Sequence, residues 1–260
     1  MKQNSYLNTT KINRVGFTLI ELLIVILIIA ALAAMIVPRL SGISTQTSSA
    51  VNASIVADVN NAVGLYEVRY GKHALGWDSL LNSDDELFTK LHPNLVPHLK
   101  LLTLDANQSA SLQEAGIVGF HDADEARVSA PSDNSTVFRF LAPGTQVVAF
   151  EKVEITEGHG STLIDNAFNI NQYQTAWDHE FVVVGLGGPT GLKGTTIREI
   201  PIVESADPQE YYARALCVFM IPPTGSTTPF RAQYIGCFLP DGTSSRQNLD
   251  DFNQADRPLD

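Results

Sequence analysis

Arg14-Val15-Gly16-Phe17-Thr18-Leu19-Ile20-Glu21 opens an apolar run that reaches Val37 with one charged residue inside it. Residues 17–37, helical at about 1.5 Å per residue, span roughly 30 Å, the thickness of a bilayer's hydrocarbon layer. A carboxylate inside such a segment is costly and calls for a cationic partner. Lys2, Lys11 and Arg14 precede the run and no acid does. The positive-inside rule therefore keeps residues 1–16 cytoplasmic and exports the chain beyond Arg39. A secretory signal has a similar basic start. This run, however, is longer than an ordinary hydrophobic region, carries an acid near its start, and ends in Val37-Pro38-Arg39-Leu40 without a small-x-small cleavage site.

The order of residues around Glu21 resembles the leader and first helix of the type IV pilin and type II secretion pseudopilin family. The resemblance is dense over residues 14–40, continues as pattern to about residue 70, and leaves the rest of the 260 residues uncovered. It implies that a prepilin peptidase cuts between Gly16 and Phe17 and methylates the new amine of Phe17, which makes Glu21 the fifth residue of the mature chain. During assembly the amine of one subunit then meets the Glu21 carboxylate of a neighbour. Pro38 matches a proline that kinks the helix in the family. The implied partners are the peptidase, copies of the chain, other pilin-like subunits, an inner-membrane assembly platform and membrane lipid. The implied location is the inner membrane, single-pass, with a periplasmic head, followed by assembly into a pseudopilus or pilus.

Composition fits an exported head. All 28 acids lie after residue 16, and three of the 17 bases lie before it, which leaves 14 bases against 28 acids and a formal charge of −14 on the processed chain. Phosphate tracks need clustered Lys and Arg, so no nucleic-acid partner is expected. The expected organisation is a leader at 1–16, a transmembrane and assembly half-helix at 17–38, an amphipathic half-helix at 39–71, and a periplasmic globular head at 72–260.

Beyond Pro38, Val51, Ile55, Val59, Ala62, Tyr66 and Tyr70 recur at helical spacing, with Asn52, Asp58, Asn61 and Glu67 off that stripe. Gly71 is the expected stop. Residues 72–117 read as a loop-rich helical insertion, with helix starts near Trp77-Asp78 and Asp84-Asp85 and a short helix over 109–115. Strand-forming runs come next, at 136–141 and 145–153. Ala142-Pro143-Gly144 between them reads as the turn of a hairpin. Further strands are expected at 181–184, 196–202, 212–221 and 233–239. The expected fold class is α+β and pilin-like: a long N-terminal helix, membrane-spanning in its first half, packed on an antiparallel β-sheet head.

Cys217 and Cys237 fall in the last two strand runs, and their midpoint, Thr227, lies in a Pro- and Gly-rich stretch where a hairpin would turn. The spacing allows them to face each other. A disulfide in an oxidising periplasm and two buried thiols both remain open, and many pilins carry a disulfide near the C-terminus. No cofactor is expected. Two acidic clusters, one with Asp122, Asp124 and Glu125 beside His121 and one with Asp250 and Asp251, offer oxygen ligands of the kind Ca²⁺ takes, but neither has the order of an EF-hand loop. The chain has no Gly-x-Ser-x-Gly elbow and no His-Glu-x-x-His. Its Gly-rich stretch at 185–195 lacks the Gly-Lys-Ser/Thr of a phosphate loop.

The expected function is therefore a non-enzymatic structural subunit of a type II secretion pseudopilus. The alternatives are a type IV pilus subunit for adhesion, motility or DNA uptake, and a periplasmic binding or enzymatic domain on a pilin-type anchor.

Overall fold

The computed structural model describes residues 19–123, 137–151, 179–203 and 206–243, with the backbone alone over residues 35–46. The first helix, α1, is Leu19–Tyr70, 52 residues long. Its backbone stays helical through Pro38, since a proline removes one backbone donor without ending the bonding on either side. The chain divides into two compact units, Met1–Ser44 and Thr45–Asp260, and α1 contributes to both. Gly71 stops the helix as expected. At φ 69° it takes the left-handed cap conformation, and its N–H closes on the Glu67 carbonyl at 2.7 Å.

Among the described residues no helix is long and apolar enough to cross a membrane, which overturns the membrane-spanning half expected of α1. The described side chains of its apolar part cover residues 19–34.

In the second unit the buried face of α1 is centred on Ala53, Val56, Val59, Ala62 and Val63. It is turned by about one residue from the expected stripe. Val51 and Tyr70 are 39% and 43% exposed, whereas Asn52 is buried. The strands are β1 (Trp77–Asp78), β2 (Leu99–Thr103), β3 (Gly119–His121), β4 (Phe138–Phe140), β5 (Gln146–Phe150), β6 (Glu180–Gly185), β7 (Leu216–Ile221) and β8 (Gln233–Phe238). A second helix, α2 (Ala106–Glu114), precedes β3, and a 3-10 turn covers Val96–His98.

The expected antiparallel head is corrected to a mixed eight-stranded sheet, because β1 and β3 run parallel with Trp77 opposite Phe120. A parallel pair needs a long connection, and β2 and α2 lie within it. The order runs β2-β5-β6-β1-β3-β4, with β7 on β6 and β8 on β7. The hairpin expected between the runs at 136–141 and 145–153 does not form. The turn itself is made, with Thr145 N–H on the Ala142 carbonyl, but β4 pairs with β3 while β5 pairs with β2 and β6. Residues 196–202 form turns and one isolated bridge, Lys193 to Ile197.

β6 and β7 are buried along their whole length. Their side chains alternate between two cores. Val182, Val184, Cys217, Phe219 and Ile221 pack with Val56, Val59 and Val63 of α1. Phe181, Val183, Leu216, Val218 and Met220 pack under Leu80, Leu81, Phe88, Leu91 and Leu95. The segment expected to hold helices at 77–91 is thus a cover for the outer sheet face, and its chain joins the sheet through β1.

α2 begins where a capping box places it. Asp105 accepts from the Gln108 N–H, and the Gln108 side chain accepts from the Asp105 N–H. The same helix holds the loop between β7 and β8. Asn107 Nδ2 donates to the Ser226 and Thr228 carbonyls, and Gln108 Nε2 donates to the Pro222 carbonyl.

Candidate functional site

The first candidate surface is the exposed end of α1. Between positions 19 and 32 its large apolar side chains all face outward, from Leu19 at 82% exposed to Val25 at 45%. Positions 22–29 are apolar without a break, which is two full turns and therefore every side of the helix. A helix apolar all round requires cover all round, and exposed apolar surface of this extent marks an interaction site. Glu21 lies in the first turn, where the helix dipole favours a negative charge. Gly16 and Phe17 lie outside the described residues.

The second is the seat of α1 on β7 and β8. Cys217 and Cys237 are direct register partners, as their spacing allowed. Both thiols are free and buried. The Cys237 Sγ–H donates to the Val56 carbonyl at 3.4 Å, and the Cys237 N–H donates to Asn60 Oδ1 at 3.0 Å. Asn60 Oδ1 also accepts from the Tyr234 hydroxyl at 2.8 Å. A bulge makes this convergence possible. Val218 pairs with Gly236 and Phe219 with Tyr234, so Ile235 is an extra residue. Without it, Tyr234 and Cys237, three apart, would point to opposite faces of the sheet.

Burial pushes the Cys237 thiol up to about 12 and raises Cys217 as well. Disulfide exchange proceeds through the thiolate, so the folded, reduced pair is expected to oxidise slowly, and a bond between them would form before or during folding. Refolding with oxidised glutathione is expected to join the two cysteines and raise stability by about 3 kcal/mol, the value for closing a loop of this size. Non-reducing peptide mapping and denaturant titration with and without reductant check this. Equal midpoints would refute it.

Of the expected calcium ligands, Asp124, Glu125, Asp250 and Asp251 lie outside the described residues. Asp122 is buried at the end of β3 and faces an internal cation. Arg139 Nε lies 2.7 and 2.8 Å from its two carboxylate oxygens. The same guanidinium pairs with Asp85 and donates to the Asn82 and Ser83 carbonyls. Burial pushes the Asp122 carboxyl up to about 6. Contact with the guanidinium opposes this, and at these distances the ion pair is the operative state. Among the described residues no group of three or more His, Cys, Asp or Glu side chains converges to hold a metal.

A third polar centre lies where α1 ends. Glu67, Arg231, Ala232, Gln233 and Tyr234 line a cavity of about 360 Å³. Arg231 Nη1 lies 3.4 Å from Glu67 Oε1, and Arg231 Nη2 donates to the Gly71 carbonyl at 2.8 Å. Behind them His73 has a fully buried side chain whose Nε2 lies 3.7 Å from the same Glu67 oxygen.

Sequence reasoning missed Asn60, Arg139, Tyr234 and His73. Asn60 carried one signal, a polar residue next to Val59 at the centre of an apolar helical face. The others are isolated in sequence from the groups they meet. No known family model, no characterised protein and no solved structure matches this chain.

Proposed function

We propose that the chain is a non-enzymatic, prepilin-like structural subunit, cut after Gly16, methylated on Phe17 and assembled through α1 into a type II secretion pseudopilus. The observation that carries this reading is the helix surface at 19–32, apolar and exposed on every side, headed by Glu21 five residues after Gly16. Packing of like helices supplies cohesion without direction. Glu21 supplies the direction, by accepting the α-amine of a neighbouring subunit's Phe17.

Before assembly the apolar end of α1 associates with inner-membrane lipid and the head lies on the periplasmic side. The processing enzyme is a prepilin peptidase, and the assembly partners are an inner-membrane platform and other pilin-like subunits. Mass spectrometry of the mature protein is expected to find a chain beginning at N-methylated Phe17. A different or unmodified first residue overturns the processing step. Deleting the subunit is expected to stop protein secretion and leave surface pili visible by electron microscopy, and the reverse outcome assigns it to a pilus.

A further inference from the structure

His73 has zero side-chain exposure, and neither ring nitrogen has a hydrogen-bond partner among the described residues. A buried polar group in that state is costly and calls for a reason. Its surroundings supply one. The Phe219 ring of β7 meets the imidazole edge-on at 5.1 Å, and the Tyr234 ring of β8 lies at 6.2 Å. The His73 N–H is tied to the Ala115 carbonyl just after α2. The charged groups acting on the ring are Glu67, on the last turns of α1, and Arg231, on the approach to β8. Lys72, its neighbour in sequence, is exposed. Tyr234 is held well above its ordinary value by burial and keeps its proton throughout the physiological range.

We infer that His73, Glu67 and Arg231 form a proton-operated latch that fastens the end of α1 to the β7–β8 pair at neutral pH and releases it in acid. With His73 neutral, the Glu67 carboxylate pairs with Arg231, and Arg231 in turn holds the Gly71 carbonyl. A proton on His73 places a second cation 3.7 Å from the Glu67 oxygen, on a ring that has no exposed surface of its own. The two cations then compete for one carboxylate, and the imidazolium gains hydration by opening toward the adjoining cavity. Burial lowers the His73 value below the ordinary 6.5, Glu67 raises it, and Arg231 lowers it. The unfolded chain therefore takes the proton first. The latch's contribution is complete above 6.5 and is lost as pH falls from there through the lowered folded value. This inference concerns the head alone and does not depend on the filament reading.

The test is an NMR titration of the His73 ring protons in the full chain in detergent, for the wild type and for Glu67→Gln and Arg231→Gln. The wild-type midpoint is expected below 6.5. Glu67→Gln is expected to lower it further and Arg231→Gln to raise it. A wild-type midpoint at or above 6.5, or shifts that are absent or of the same sign in the two variants, overturns the latch. Amide exchange supplies the mechanical half. Residues 67–73 and 231–234 are expected to exchange faster relative to intrinsic rates below the midpoint in the wild type, and to lose that pH dependence in His73→Phe, whose ring fits the same aromatic surroundings. Equal pH dependence in both proteins refutes release.

Discussion

Glu21→Ala is expected to leave the chain expressed and its head folded, and to reduce filament yield by two powers of ten or more. The acid sits in the first turn of a helix whose neighbouring side chains are all apolar. When such helices pack together it is withdrawn from water with its partner. Removing one member of a buried ion pair costs about 3–5 kcal/mol, because the other charge stays buried alone. At about 1.4 kcal/mol per tenfold, that is roughly two to three and a half powers of ten in the equilibrium for adding a subunit. The alanine adds apolar surface, so association with lipid should be unimpaired. Sheared-filament yield, compared with membrane-fraction content, separates the two effects. Wild-type yield and wild-type subunit spacing from the variant would remove the basis for register by charge.

Trp77→Ala is expected to destabilise the head by about 3–5 kcal/mol, the range for deleting a large aromatic from a packed core. Trp77 is fully buried, lies edge-on to Phe219 at 5.5 Å, and donates Nε1–H to the Ala74 carbonyl at 2.6 Å. The substitution removes the packing, the aromatic pair and the partner of a buried carbonyl together. It also empties β1, which has only two residues to hold the parallel join to β3. Denaturant titration of the full chain in detergent measures the loss. A change below about 1 kcal/mol would show that the surrounding core does not depend on this side chain.

The readable parts of the fold were those whose cause is local. Phe181-Val182-Val183-Val184 and Cys217-Val218-Phe219-Met220 read as strands because burial on both faces leaves a continuous run of strand formers. Gly71 read as a stop because the left-handed cap is a property of one residue. Cys217 and Cys237 read as facing because their midpoint falls in a turn-forming stretch, although the pairing is completed by the bulge at Ile235, which no local pattern announces.

The parts that failed to read depend on distant partners. Ala142-Pro143-Gly144 announces a turn, but nothing within it says that the strands on either side pair elsewhere. Trp77-Asp78 is too short to show a period, and its acid resembles a helix start. The Tyr212 hydroxyl, 134 positions away, donates to the Asp78 carboxylate at 2.8 Å. The stripe on α1 was misplaced by about one residue because Asn52, read as off the stripe, is buried, and hydrophobic periodicity does not count an amide as inward-facing. At the candidate sites, Glu21 was legible from its own apolar surroundings, whereas His73 comes after Gly71-Lys72 without any pattern that foretells its burial.

The amide of Asn60 has a consequence for how the helix conveys force. Apolar faces tolerate small sliding and small rotation, because their attraction is non-directional. One oxygen that accepts from a tyrosine hydroxyl and a strand amide does not. It works as an indexing pin, setting the angular phase of residues 45–70 against the last hairpin, so that a torque applied along this part of the rod turns the domain with it instead of spinning in its socket.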